Sequence, residues 1–463
     1  MGLLLIVYIA VAVVNYSVVQ SYIGTAVGNH FSKEWGGTVR IGSLGMMPWD
    51  HLILHEVLLV SPDNDTIFDC ETLRLRFKRF PFRSGDLKDG GHDAGTLSFD
   101  RVYLGKAYYH LAISPSKKEP GKAVTNLDFI ISHYQKNEST PSRGGRFTVE
   151  VGMLTLNHVH YKMDLIDHRK TVFEHGVEIP HMEFYDICGR IKGVHVVNDD
   201  VEAHILHLST EERSGFVVKD IRGDAYISPQ GIHAHNMDIT TGNSHIMLEA
   251  DLVYDSWDVM KHYEHTVYHR AVLHEGTTVA LGDVAYWAPV LWGYNAQIDA
   301  EGIITGPVDS LVIDGLLLSF GRDSRVAVDG TVRGLPDVTI AEGDLEQLDV
   351  RVADGDVERI LANMPVKLSP AMRHMVRQVQ HIDMAARLHG NVADGGTLNL
   401  DIASGMGNLR ADVAARPVTR GTDKRLADAW HVGLEANSDG LGLSLLGSDW
   451  LTHTGLARST PSS

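Results

Sequence analysis

From Thr38 onward, apolar and polar residues alternate in short runs, a period of two that belongs to strands with one buried face. Thr72-Leu73-Arg74-Leu75-Arg76-Phe77-Lys78 is the cleanest run. Phe147-Thr148-Val149-Glu150-Val151 repeats it, and Leu154, Leu156 and Val159 continue its apolar side. Ile246–Leu252, Leu311–Leu317, Arg325–Val332 and Leu398–Ile402 follow the same rule. Turn chemistry falls between the runs, at Asp63-Asn64, Ser228-Pro229-Gln230-Gly231 and Asp394-Gly395-Gly396. No regular strand–helix–strand rhythm occurs, which disfavours a doubly wound fold. The pattern predicts a mainly β chain with an elongated antiparallel sheet and one apolar face. Packed sandwiches, a closed barrel and a curled trough all satisfy that period. Helical patterns are few: Thr125–Tyr134, Ser256–Leu273 and Val357–Val379, the last broken at Pro365 and Pro370.

The pattern differs at the N-terminus. Leu3 to Val14 is continuously apolar, and the stretch softens through Asn15, Ser17, Gln20 and Ser21. Residues 1–23 are long enough to cross a bilayer, which takes about 20 residues. A cleaved signal peptide is the rival reading. The absence of a basic segment before Leu3 favours a transmembrane anchor, as does the lack of a small-x-small site before Ala26-Val27-Gly28. Residues 24–36 then read as a juxtamembrane helix. Ile23, Val27 and Phe31 recur every fourth residue, which suits a helix on the membrane surface or one packed at the start of the body.

Composition narrows the function classes. The chain carries 41 basic and 59 acidic residues, a net charge of −18, and that field repels nucleic acid. The 26 histidines make the balance sensitive to pH. Cys70 and Cys188 stand alone, outside any ligand-spaced cluster, so a thiolate zinc site is disfavoured. They read as apolar fillers or as a pair in an oxidising compartment.

Histidine spacing offers the remaining chemistry. His262, His265 and His269 would share one face of the helix over Ser256–Leu273, with Glu264 near and His274 beyond, but the HExxH pattern is absent. His158 with His160, and His233 with His235, sit at strand spacing; a metal-ligating pair needs a third group that spacing does not locate. Asp199-Asp200 and Glu211-Glu212 would point apart in a strand, which argues against paired-carboxylate chemistry. Trp257, Tyr286, Trp287, Trp292 and Tyr294 read as core or groove lining. No GxSxG, GxxxxGK[ST] or GxGxxG motif occurs. No catalytic, cofactor-binding or metal-ligating residue is therefore assigned, and no enzyme activity or cofactor is expected.

The apolar start running into Val19-Gln20-Ser21-Tyr22-Ile23 resembles the TamB branch of the AsmA-like family, in its Bacteroidetes form. So do Gly37-Thr38-Val39-Arg40-Ile41-Gly42, Leu52 to Leu59, Asp65-Thr66-Ile67-Phe68 and Leu73-Arg74-Leu75. Asn126 to Ile130, Asp283 to Pro289 and Gly334-Leu335-Pro336-Asp337 continue the likeness in the family's order. The resemblance implies a single-pass anchor in the bacterial inner membrane, with residues 37–463 as a β-groove body in the periplasm, the taco-like fold. It further implies a role in outer-membrane biogenesis, by transport of phospholipid acyl chains or assembly and secretion of outer-membrane proteins. The family's C-terminal region, which meets an outer-membrane barrel partner, is not recognisable in the sequence, and the body reads as truncated there. Two rivals stay open: an envelope scaffold that binds partners by β-augmentation, and an envelope hydrolase with an unrecognised site.

Overall fold

The computed structural model describes residues 16–47, 51–78, 96–116, 123–130, 148–166, 176–197, 200–256, 263–335, 341–356, 380–391, 394–420 and 427–439. The apolar run at Leu3–Val14, His262, Asp199, Trp257 and the expected helix over Val357–Val379 lie outside these residues. Among the described residues, no helix is long and apolar enough to cross a membrane. The chain forms two compact units. The first comprises Met1–Asp258 and Asp283–Trp292, the second Val259–Gly282 and Gly293–Ser463.

The first unit opens with α1 (Ser17–Trp35), one continuous helix that includes the expected residues 24–35. It ends at Gly36, whose φ of 79° is the left-handed conformation glycine adopts most cheaply, and whose N–H donates to Ser32 O. Gly24 and Gly28 lie one turn apart against β1 (Thr38–Met47). A Cβ on either would meet a β1 carbonyl oxygen, of Ile41 or Val39, at 2.8 Å. Only glycine lets the helix lie this close. Val27, Phe31 and Trp35 pack on Val39, Ile41 and Leu54, so the apolar spacing in this helix is a packing side.

β2 (His51–Val60), β3 (Thr66–Phe77) and β4 (Thr96–Pro115) continue from β1 as antiparallel neighbours. Then the expected all-antiparallel sheet fails. β6 (Thr148–Leu165) runs parallel to β4, from Thr96↔Thr148 to Ile113↔Leu165. The long connection between them contains β5 (Ala123–Thr125), which pairs antiparallel with the end of β4. A connection of that length can return the chain in the same direction, as a tight turn cannot. β7 (Glu183–Val197), β8 (Asp200–Glu212), β9 (Val217–Ser228), β10 (Gly231–Thr241) and β11 (His245–Val253) then add in antiparallel succession. A second cluster forms where Cys70, Ala107 and Val159 bury against Leu73, Leu104 and Ile187.

The second unit starts with one helical turn, α2 (Tyr263–Thr266), and β12 (Tyr268–Leu273). The helix expected over Ser256–Leu273 is therefore corrected. His269 to Leu273 pair residue for residue with Gly306 to Gly302 of β14 (Gln297–Gly306), after the short β13 (Thr278–Ala280), and this pairing overrides the helical spacing. β15 (Ser310–Phe320), β16 (Ser324–Arg333), β17 (Glu342–Val352), β18 (Ile382–Asn391), β19 (Gly395–Ser404), β20 (Gly407–Arg420) and β21 (Ala427–Asp439) follow, each antiparallel to the last.

Each unit fastens a hairpin turn with a buried carboxylate. In the first, Asp283 accepts hydrogen bonds from Thr241 Oγ1, from Ser244 Oγ at 2.7 Å and from the Asn243 backbone N–H, all in the β10–β11 turn. In the second, Asp356 accepts from the Arg322 backbone N–H and Ser324 Oγ, each at 2.8 Å, in the β15–β16 turn.

Candidate functional site

The second unit separates its two sheet faces. Across the strands, Ala300 of β14 faces Leu318, then Val326, Val350, Met384 and Ile402 in turn, ending at Leu409 of β20. A parallel row runs from Leu316 through Val328, Leu348, Ala386 and Leu400 to Ala411. Both rows follow from the period of two, because every second residue points to the same side. The opposite side carries charge: Arg351 pairs with Asp323 at 3.1 Å, and Arg410 with Asp401 at 2.5 Å.

The apolar rows are half-covered. Ala300, Ala386 and Ala411 are buried, whereas the larger Leu316, Val326, Leu348, Met384 and Leu400 are half-buried. At β21 the face opens further, with Val432 56% and Leu434 43% exposed. The two rows consist of Ala, Val, Leu, Ile and Met side chains.

The polar constellations lie mainly in the first unit. His110 is buried between Asp65 at 2.9 Å and Asp164 at 3.0 Å, and Asp164 also holds His181 and Lys162, each at 2.8 Å. Burial pushes the Asp164 carboxyl up, but the bonds from Lys162, His181 and His110 outweigh it and hold the group well below the ordinary carboxylate range. Burial likewise pushes Asp283 up, and its donors Thr241, Ser244 and Asn243 bring it below the usual value. Sequence reasoning singled out none of His110, Asp164 and His181, because the parallel pairing sets His110 of β4 against Asp164 of β6, and His181 arrives from the turn before β7.

The histidines singled out by spacing are dispersed. His265, on α2, pairs with Asp309 at 2.6 Å, and His269, on β12, meets the Tyr263 hydroxyl at 2.6 Å. They no longer share a helical face. His158 bonds Asp186 and His160 bonds Glu183, with a bulge at His158 (φ 55°) between the two registers. His158, Asp186 and Cys188 bring their ligand atoms within 4.8 Å of one another. His233 and His235 do find a third group, Asp251 of β11.

Other expectations resolve locally. Glu212 is buried, accepting from Ser214 N–H and Oγ, while Glu211 is exposed, so adjacent carboxylates do point apart. Both cysteines are free: Cys70 is a buried filler whose thiol burial pushes up, and Cys188 is partly exposed. Tyr286 packs edge-on against Trp292, and Phe216 lies between Tyr286 and Trp287, an aromatic cluster whose tryptophans stay part-exposed. A groove of about 930 Å³ beside α1 is lined by charged groups such as Arg40, Glu56, Glu71 and Lys106 as much as by apolar ones, which makes it a poor acyl-chain site.

No protein-family model, curated protein or solved structure matches this chain.

Proposed function

We propose that the protein is an anchored envelope protein of the AsmA-like kind, whose second unit holds phospholipid acyl chains on its apolar face and passes them along it. The observation that carries this reading is the pair of apolar rows crossing β14 to β20, half-covered in the middle and open at β21. Each methylene moved from water to such a surface gains about 0.8 kcal/mol, so a chain of many methylenes is held without chemistry. The rows run across the strands, and a chain lying on them would meet Leu, Val and Met side chains at each strand spacing of about 4.8 Å. The resemblance over the first 80 residues supports the same reading and implies a body in the periplasm behind an anchor at residues 1–23.

The test is photocrosslinking on the full chain in its membrane. A photoreactive amino acid replaces Leu400 on the apolar face, Asp401 on the polar face or Leu434 on β21. Phospholipid adducts at position 400 and none at 401, read by mass spectrometry, are expected. Lipid adducts at neither position, with a protein adduct at β21, would transfer the assignment to a scaffold that recruits partners by adding strands.

A further inference from the structure

Two carboxylates among the described residues each take two imidazoles: Asp164 bonds His110 and His181 through different oxygens, whereas Asp251 takes both on one. His233 Nδ1 and His235 Nε2 both converge on the same atom, Asp251 Oδ1, at 2.8 Å and 2.9 Å.

The convergence has a backbone cause. His233 and Asp251 are direct cross-strand partners of β10 and β11. Residues two apart on a strand share a face, but their Cα atoms sit well apart, and His235 would ordinarily face the residue opposite it rather than Asp251. The register shifts between Ala234 and Met237, where His235 and Asn236 occupy the space opposite one residue, and Asn236 takes φ 51°. This bulge re-aims the His235 ring toward Asp251. Tyr226 holds the other ring from the far side, its centroid 5.8 Å from that of His233.

We propose that His233, His235 and Asp251 form a binding site for a divalent transition-metal ion, of which Zn²⁺ is the best fit. Two neutral imidazoles and one carboxylate are a ligand set that zinc accepts, with a fourth position left open. Tetrahedral zinc sets its N and O ligand atoms about 3.3 Å apart. The two N–O separations are about half an ångström shorter, and all three ligand atoms lie within 4.8 Å of one another, so an ion would exchange the shared hydrogen bonds for metal bonds. The side chains suit exchange with solvent: His235 is 48% exposed and Asp251 17%.

The surroundings support a cation. The site opens on a cleft of about 710 Å³ whose lining includes Glu202, His204 and Asp224. His204 bonds Asp224 at 2.6 Å, and Asn236, the bulge residue itself, donates to the other Asp224 oxygen at 3.0 Å. A second carboxylate is thus fixed across from His235 on β9, in the lining of the same cleft. The site is independent of the acyl-chain reading, which concerns the second unit.

The experiment is a Zn²⁺ titration of the full chain in mild detergent after chelator dialysis, followed by calorimetry, with Co²⁺ absorption reporting coordination geometry. One tight equivalent is expected, with a four-coordinate Co²⁺ spectrum. Asp251→Asn and His235→Gln should each weaken that equivalent by about tenfold or more. His389→Gln, which removes an isolated pair with Asp344, should leave it unchanged. Far-UV circular dichroism confirms that each variant is folded; the exposed His235 keeps at least one variant testable if Asp251→Asn is not. The proposal is overturned if Zn²⁺ binds only as many weak equivalents, or if the tight one survives His235→Gln. Loss on Cys188→Ser instead would overturn it in favour of His158, Asp186 and Cys188.

Discussion

Cys70, Ala107 and Val159 in the first unit are buried on a sheet whose neighbours Leu73, Leu104, Leu156 and Ile187 close around them. In the second unit the buried apolar side chains on the long rows are mostly alanines, and the leucines and valines between them remain half in solvent. The strands of both units obey the same alternation, so alternation alone does not decide what becomes core. The first unit covers its face with α1, and two glycines let that helix touch the strand. Among the described residues, the second unit has no helix of comparable length. The bulges differ too. In the first unit two fall at His158 and Asp186, and Glu56 and Lys106 take positive φ within unshifted pairings, whereas in the second they fall on Gly302, Gly315 and Gly330. A charged residue held in the left-handed region costs conformational energy and must be repaid by its contacts, such as Lys106 to Glu71 at 2.8 Å. Glycine needs no such partner.

This contrast can be broken from the covered side first. Val159→Asp places an unpaired charge in the second cluster and should cost about 4 kcal/mol of unfolding free energy, read as a lower urea midpoint. Asp283→Ala strands the donors of Thr241, Asn243 and Ser244 and should cost about 3 kcal/mol by the same measurement. Gly28→Leu forces α1 off β1 and should cost about 2 kcal/mol, with Gly28→Ala costing less.

A smaller and graded effect concerns acid. The folded-state pKa of Asp164 is depressed, so its stabilisation is fully present above the unfolded carboxylate value of about 4 and is lost as pH falls below it. The urea midpoint should therefore decline steeply with acid, and Asp164→Asn should flatten that decline while lowering the midpoint at neutral pH. The smallest change is predicted on the open side. Leu400→Asp, on a half-covered face, should cost no more than about 1 kcal/mol yet abolish lipid adducts at a neighbouring photoreactive position. A loss as large as that of Val159→Asp would mean that this face is core.

Most strands were legible because alternation needs only one chain's own side chains. Thr72 to Phe77, Ile246 to Leu252 and Leu398 to Ile402 all lie within strands. The parallel pairing of β4 with β6 was not, since direction depends on how a long connection returns. Tyr268 to Leu273 misled because an i, i+3, i+7 histidine pattern looks helical while the β14 partner that makes it a strand is remote in sequence. For the candidate sites, the His233–His235 spacing was visible, but Asp251 became its third member only through strand register and a bulge. The set of Asp65, His110, Asp164 and His181, the last three buried, had no local signature at all. The apolar face of the second sheet was foreseen as a face, and its partial cover depends on what packs there.

The carboxylate clasps at Asp283 and Asp356 carry a consequence for how such a chain could have grown. Each fastens a hairpin from a strand or two further along the chain, Asp283 holding Thr241 to Ser244 and Asp356 holding Arg322 to Ser324. A gene segment encoding a few strands and their clasp could be copied in tandem and still fold, because the copy brings its own fastening. Length would then be the trait most freely adjusted by duplication or loss, while the helix-capped first unit, tied together by contacts unique to it, would be the part that resists copying.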